Sequence, residues 1–516
     1  MRVLGISSQF HDAAVTVVDD GRIVFAAHSE RYSRVKNDPF LNKQIIEAAL
    51  LYGKPDVVVY HEKHWAKVLR NLTIGNFGFL KEISAKKWVK KFYPQLKGIP
   101  TKTYWHHETH AAAGVLTSDF DECAVMVIDA IGEFDSASIW HWKDGKLTKK
   151  DKVWYPSSLG LFYSAITKYV GLKPMEDEYI LMGMAAYGED SKAEQLQQII
   201  NDKVFADKTG IKTKVNLQKG FKENFFFLRN GYTDFDLAKA AQWEVEKRIS
   251  AYAEKAYELT GSTNLVFMGG VALNCVANSN LFDVFANIHI MPNPGDAGSS
   301  LGAAGLHYYN ATGRRVEWTG PYLGTQIPGK YPINKALDSL RKGHIFGIAN
   351  GRAEFGPRAL GNRSLIADPR GHEIQDRMNI IKKRQKFRPF APMILEQHVN
   401  TIFEMPKSPG NPPISEAPYM QYVAKCKWPT MFPAIVHEDG TSRVQTVNAE
   451  QHPELFELLT RWYNETGCPL LVNTSLNIKG QPIVDNVNDA EDFSEYYGVD
   501  VHTHDDPEFE STPDYR

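Results

Sequence analysis

Apolar and polar positions alternate in blocks at the start of the chain. VLGI at 3–6 is a short buried-strand run, SSQFHD at 7–12 a polar turn, and AAVTVV at 13–18 a second strand. Asp19-Asp20-Gly21 then predicts a tight hairpin turn, and IVFAA at 23–27 a returning strand. The same order recurs at 124–147: strand 124–128, acid-bearing turn 129–135, strand 136–142, and the turn Lys143-Asp144-Gly145. Further on, residues 233–260 carry apolar positions at helical spacing, and 264–268 (NLVFM) read as a buried strand ending in Gly269-Gly270. The stretch 314–332, rich in glycine and proline, predicts an interdomain linker. A second α/β region follows, to about 485.

Length changes this picture first. A chain of 516 residues exceeds one hydrophobic core, so two or three domains are expected. A formal net charge of −2 gives no overall basic signature of a nucleic-acid binder. The four cysteines, Cys123, Cys275, Cys426 and Cys468, are scattered without a CxxC pair, which fits a reducing compartment better than a disulfide framework. The N-terminal residues lack a signal-peptide pattern, and no apolar run approaches the ~20 residues of a membrane span. A cytoplasmic protein is expected.

Three groups of residues carry candidate chemistry. In GRAEFGPRALGNRSLIADPR, at 351–370, Arg352, Arg358, Arg363 and Arg370 are spaced among glycines and prolines, so that guanidinium forks could converge on a polyanion. The bland alternative is pairing with surface carboxylates. His106 and His110, in HHETHAAAG, are four apart, so one helical face presents both imidazoles to a metal; the spacing is not that of HExxH proteases. Asp129, after the first strand of the second repeat, and Asp296, in PGDAG, could complete a mixed N/O site suited to Fe(II), Mn(II) or Zn(II). Gly269-Gly270 after a strand could bring backbone N–H groups to a phosphate.

At this point a resemblance emerges. GISSQFHDAAV (5–15), SERYSRVKND (29–38), HHETHAAAG (106–114), GGVALNCVANSNL (269–281) and PGDAGSSLGAA (294–304) resemble the first domain of the NodU/CmcH O-carbamoyltransferase family. EFGPRALGNRSLIADPR (354–370), KFRPFAP (386–392) and NTSLNIKGQPIV (473–484) resemble its second, YrdC-like domain. The resemblance implies a mixed α/β protein. A duplicated ribonuclease-H-like domain of the actin and sugar-kinase ATPase type would span 1–320, a YrdC-like α/β domain 340–500, and an acidic tail 501–516.

It also implies a two-step reaction. ATP, with Mg2+, and carbamoyl phosphate form a carbamoyladenylate in the second domain, and the carbamoyl group passes to an acceptor hydroxyl in the first. ATP and carbamoyl phosphate would be held by Arg352, Arg358, Arg363, Arg370, Asn473, the pair Lys386/Arg388 and the pair Ser475/Asn477. Lys36, Gly269, Gly270 and Asn274 would contact the adenylate in the transfer domain. His106, His110, Asp129 and Asp296 would bind Fe(II) or another divalent metal. His11 and Asp12 are candidates for acceptor contact and general base, with a loop-capping pair as the alternative; Lys386 could equally belong to a solvated basic face.

The acceptor stays open between a small hydroxylated metabolite (a sugar, antibiotic or cell-signal precursor) and a hydroxymethylated base in a nucleotide or DNA. Transfer of a threonylcarbamoyl group to tRNA and a non-catalytic nucleotide sensor are the other readings. No membrane partner is implied, and a homodimer is left open. Three departures from the family pattern stand out: Ala130 where a glycine is usual, FSEYYGVDVHTHDD at 493–506 in place of a longer apolar strand, and residues 53–103, which match no family motif. Within the last lies a basic aromatic stretch, 81–102, with Lys86, Lys87, Trp88, Lys90, Lys91, Phe92 and Tyr93. It reads either as a nucleic-acid contact or as an amphipathic surface helix with Trp88 and Phe92 in the core.

Overall fold

A computed structural model describes residues 1–73, 84–221, 228, 230–386 and 388–505. The chain forms two units. One comprises 1–26, 39–318 and 407–412; the other comprises 27–38, 319–406 and 413–516.

The first unit holds two five-stranded sheets. One contains β1 (Arg2–Ser7), β2 (Ala14–Asp19), β3 (Arg22–His28), β4 (Val57–Tyr60) and β5 (Thr101–Thr103), in the order β3-β2-β1-β4-β5. The other contains β6 (Cys123–Ile128), β7 (Asp135–Lys143), β8 (Lys146–Trp154), β9 (Asn264–Met268) and β10 (Asn287–His289), in the order β10-β9-β6-β7-β8. The two orders are the same, and so are the directions about the central strand. β1 is antiparallel to β2 and parallel to β4, and β6 is antiparallel to β7 and parallel to β9.

The aspartate–glycine turns form as the pattern requires. Asp20 and Gly21, then Asp144 and Gly145, all have positive φ, at 46°, 90°, 50° and 69°. Such two-residue turns match the twist of a hairpin, and glycine adopts the second position without steric cost.

Two helices, His106–Thr117 and Ser299–Thr312, pack closely in this unit because small residues allow it. A Cβ on Gly302 would meet the Thr109 carbonyl at 1.8 Å, and one on Gly114 would meet Val266 Cγ1 at 2.4 Å. A Cβ on Gly5 of β1 would come equally close to the Ser300 carbonyl, at 1.9 Å. The helix expected over 233–260 spans Asp234–Thr260, capped by the Thr233 hydroxyl and ended by Gly261 at φ 68°.

The second unit is built on β11 (Tyr322–Ile327), β12 (Phe346–Ala349), β13 (Gly351–Glu354), β14 (Arg363–Ala367), β15 (Ala391–Leu395), β16 (Phe403–Glu404), β17 (Tyr422–Cys426), β18 (Thr441–Val447), β19 (Leu470–Ser475) and β20 (Val501–His502). Eight form one sheet, β16-β17-β18-β15-β19-β14-β12-β20, and β11 pairs with β13.

Three expectations change here. The glycine- and proline-rich stretch 314–332 is not wholly a linker, because β11 lies within it and supplies the antiparallel partner of β13. The tail does not begin at 501: Val501 and His502 pair in parallel with Gly347 and Ile348, and Asp505 accepts the N–H groups of Asn334 and Lys335. Backbone pairing and a helix N-terminus thus hold residues whose side chains show little apolar character; the rest of the expected tail, 506–516, lies outside the described residues. Third, 27–38, and with it Lys36, belongs to the second unit. Arg31 donates to the Val484 and Gly356 carbonyls, and Arg34 donates to the Ile483 and Pro482 carbonyls and pairs with Asp489 at 3.0 Å.

The basic aromatic stretch contains the helix Ala85–Phe92, with Ala85, Val89 and the following Tyr93 buried and Lys86 and Lys87 exposed, which is an amphipathic surface helix. The side chains of Trp88, Lys90, Lys91 and Phe92 lie outside the described residues. Among the described residues no helix is long and apolar enough to cross a membrane.

Candidate active site

His106 and His110 lie one turn apart on the helix His106–Thr117, whose first N–H is held by both carboxylate oxygens of Glu133 at 3.0 Å. Asp129 follows the end of β6, and Asp296 opens a short helical turn at 296–298. All four side chains are buried, and each offers a ligand atom within 4.8 Å of the others. His106 Nε2 is 3.2 Å from Asp129 Oδ2 and 3.4 Å from Asp296 Oδ1; His110 Nε2 is 3.2 Å from each of the same two oxygens. His110 Nδ1 donates to the Pro294 carbonyl at 3.1 Å, which leaves Nε2 as the lone-pair nitrogen of a neutral ring.

Electrostatics agree with a cation site. Burial by itself lowers the imidazole pKa values, but Asp296 and Asp129 outweigh it and raise both His106 and His110. In turn the two histidines hold Asp129 and Asp296 below the ordinary carboxylate range despite their burial and mutual repulsion. Two carboxylates thus demand two positive charges in a closed space, either as two imidazole protons or as one divalent cation. The N2O2 donor set fits the second.

A separate cationic cluster lies in the second unit. Lys382, buried at the end of the helix His372–Ile381, donates to the Ser475 carbonyl, to Ser475 Oγ at 3.1 Å and to Asn477 Oδ1 at 2.7 Å. Burial, followed by the charges of Arg384, Arg388 and Lys36, holds its pKa well below the usual lysine value. An anion placed here would relieve that repulsion. The arginine-rich loop nearby is closed by Glu354, whose Oε1 accepts the N–H groups of Leu360 at 2.7 Å and Asn362 at 2.9 Å.

Comparison with known proteins gives the family of the chain. The family model described as carbamoyltransferase N-terminus matches residues 2–71 and 56–305, and that described as carbamoyltransferase C-terminus matches 337–507. The chain belongs to the carbamoyltransferase family. It is 35% identical to the uncharacterized protein sll1178 of Synechocystis sp., over 95% of this chain and 93% of that one. It is 31% identical to the nodulation protein NolNO of Sinorhizobium fredii, covering 93% and 76%. It is also 27% identical to the 3'-hydroxymethylcephem-O-carbamoyltransferase of Amycolatopsis lactamdurans, covering 95% of each. This protein is therefore a transferase of carbamoyl groups.

In this carbamoyltransferase three further candidates, His11, Asp12 and Gly270, lie beside the histidine–aspartate cluster. His11 Nε2 stands 3.9 Å from Asp296 Oδ2, and its Nδ1 is 3.0 Å from Asp12 Oδ2. Burial would lower the His11 pKa, but the Asp12 hydrogen bond and the Asp296 charge raise it to about 9. Gly270 faces the same place: a Cβ there would meet only Asp129 Oδ1, at 3.2 Å.

Other candidates turn out to be structural. The Gly269 N–H donates to the Pro294 carbonyl at 2.9 Å, so it positions the Asp296 turn and is not open to a phosphate. Asn274 caps the helix Cys275–Asn280 and exchanges two 3.0 Å hydrogen bonds with Gln242, which occupy its amide oxygen and one of its two N–H groups. Arg363 is fully buried and donates to the carbonyls of Asp485, Asn350, Gly351, Asn362 and Thr325. Arg370 forms a bidentate pair with Asp368 at the surface, and Arg352 donates to the carbonyls of Leu323 and Gly324 in β11.

Lys36 pairs with both oxygens of the buried Glu30, at 3.0 and 2.9 Å, within the second unit. Arg358 and Arg388 are partly buried, Asn473 is buried with its amide on Ala359 and Gln445, and Lys386 is exposed. The lysine that meets the Ser–Asn pair is Lys382. Its signal was present in the chain: Lys382-Lys383-Arg384 repeats the Lys-x-Arg spacing of Lys386 and Arg388 four residues earlier.

Proposed function

We propose that this carbamoyltransferase works in two steps, forming carbamoyladenylate in the second unit and carbamoylating a hydroxyl in the first. The convergence of His106, His110, Asp129 and Asp296 beside His11 and Asp12 carries the reading. In the first step carbamoyl phosphate, ATP and water give carbamoyladenylate with release of phosphate and pyrophosphate. Lys382, Arg384, Arg388 and Arg358 neutralise the phosphates, and Ser475 and Asn477 orient the lysine and the carbamoyl group.

In the second step the acceptor oxygen bonds to the carbamoyl carbon, the carbon–oxygen bond to AMP breaks, and AMP leaves. In its neutral form, whose share grows as pH rises towards the pKa of about 9, His11 takes the hydroxyl proton at Nε2 while Asp12 holds its Nδ1–H. His106, His110, Asp129 and Asp296 would hold a divalent cation, with Fe(II), Mn(II) and Zn(II) all suited to the donor set, and it would supply Lewis acidity. Gly270 leaves room beside Asp129 for the nucleotide. Lys36 acts with the activation step, and Mg2+ accompanies ATP.

The acceptor we favour is a small hydroxylated metabolite; the name of one relative specifies a hydroxymethyl group. Membership of the carbamoyltransferase family argues against threonylcarbamoyl transfer to tRNA. The test is a mass-spectrometric acceptor screen with ATP and carbamoyl phosphate. The panel would hold sugars, hydroxymethyl antibiotics and duplex DNA bearing hydroxymethylated bases. Carbamoylation of the DNA alone would overturn the acceptor class, and pyrophosphate release without need of carbamoyl phosphate would overturn the two-step scheme.

A further inference from the structure

A metal-binding imidazole uses one nitrogen for the cation and carries a proton on the other, which needs its own acceptor. His110 has one, the Pro294 carbonyl. His106 does not: its Nδ1 is buried and has no hydrogen-bond partner among the described residues. The same holds for Nε2 of His61, whose ring centroid lies 5.2 Å from that of His106.

Two orphaned nitrogens in one closed region form a pattern. His61, Glu62 and His106 are all buried and offer ligand atoms within 4.8 Å of one another. Two hydrogen bonds of about 2.8 Å meeting at a near-tetrahedral angle span about 4.6 Å, so one water fits a gap of this size. A buried water needs two to four polar partners, and three are at hand.

The surroundings are built to hold them. The His61 N–H donates to the Ile6 carbonyl at 3.0 Å and its carbonyl accepts from Thr109 Oγ1 at 3.2 Å, tying the end of β4 to β1 and to the helix that carries His106. Glu62 pairs with Lys67 Nζ at 2.7 Å.

We propose that His61 and Glu62 are positioning residues for the cation site, holding the proton on His106 Nδ1 through one buried water. This rests on the cation site read above. Glu62 is suited to the task as a charged acceptor: burial works against ionisation, but Lys67 and the neighbouring imidazoles hold its pKa at about 2. Burial pushes His61 down to about 3, so it offers a neutral ring. A second cation in place of the water is the rival occupant, and Lys67 beside Glu62 opposes it.

The experiment measures Mn(II) affinity and stoichiometry of the full chain by chelator competition, beside the thermal stability of the metal-free protein. Glu62→Leu, which removes the acceptor, leaves Lys67 buried without its partner and can unfold the chain, so it is paired with Lys67→Met. The double variant and His61→Leu should each bind Mn(II) about 10–100-fold more weakly than the parent. His61→Gln, which keeps a polar group for the water, should restore most of the loss. Parental affinity in both altered proteins, a fall in metal-free stability with affinity unchanged, or two Mn(II) per chain would each overturn the proposal. Failure of the unaltered protein to bind Mn(II) would remove the cation site and this inference together, which separates that failure from the others.

Discussion

Nε2 of His106 and Nε2 of His110 face each other at 3.1 Å, between two carboxylates that each ring also meets. Two N–H bonds directed at one another at this distance would repel, whereas two lone pairs directed at a common cation would not. His110→Ala should weaken Mn(II) or Fe(II) binding by more than about 100-fold and stop carbamoyl transfer. Pyrophosphate release from ATP and carbamoyl phosphate should persist, because the residues proposed for activation lie in the other unit. Loss of that release, measured by a coupled phosphate assay, would sink the assignment of two steps to two units.

Lys382 and Lys386 offer a direct contrast, one buried on Ser475 and Asn477 and the other exposed. Lys382→Met should lower carbamoyladenylate formation by about 100–1000-fold, the range for removing one preorganised donor. Lys386→Met should stay within about threefold. Pyrophosphate-release kinetics of the two variants would show the reverse order if the exposed lysine were the nucleotide contact.

Arg363 and Arg358 separate stability from chemistry. Burial lowers the Arg363 guanidinium to about 10, and its removal would take a donor away from each of five carbonyls. Arg363→Met should therefore destabilise the protein by at least about 3 kcal/mol in urea unfolding. Arg358→Ala should leave the urea midpoint nearly unchanged while abolishing adenylate formation. Arg370→Ala should do neither, within about 0.5 kcal/mol.

A pH effect follows from His289, partly buried in β10 with Nε2 3.1 Å from Thr117 Oγ1. Burial, aided by the Arg315 charge, lowers its pKa to about 4. Between that value and the unfolded one the unfolded chain binds the extra proton, so stability falls as pH drops from about 6.5 towards 4. The loss attributable to this residue between pH 6.5 and 5 is about 1.6 kcal/mol. His289→Gln should show a correspondingly smaller acid destabilisation in urea titrations at the two pH values; equal slopes would exclude the residue.

The local patterns were legible where one residue's spacing decides geometry. Histidines four apart on a helix share a face whatever the rest of the chain does, and an aspartate–glycine pair between apolar runs closes a hairpin in both sheets of the first unit. The arginine segment was less legible. Its four side chains are alike in sequence, yet Arg363 packs inside, Arg370 lies against Asp368, and Arg352 braces β11. Only the backbone path around Glu354 distinguishes them. The Lys-x-Arg pattern occurs twice within seven residues, and burial at the end of the helix His372–Ile381 favours the first copy beside Ser475.

The sequence by itself determined the repeated hairpins, the paired histidines, the α/β class and the family to which the chain belongs, because these depend on short-range periodicity and on ordered motifs. Tertiary structure decided which donors have already been taken. Gly269, Asn274 and Arg363 carry the right chemical groups for a ligand, but their hydrogen bonds go to Pro294, Gln242 and a ring of carbonyls. It also placed Lys36 with the second unit, through Arg31 and Arg34 on the 482–484 backbone. Hydrogen bonds between residues hundreds of positions apart leave no periodicity in the chain, and so they can be read only once it is folded.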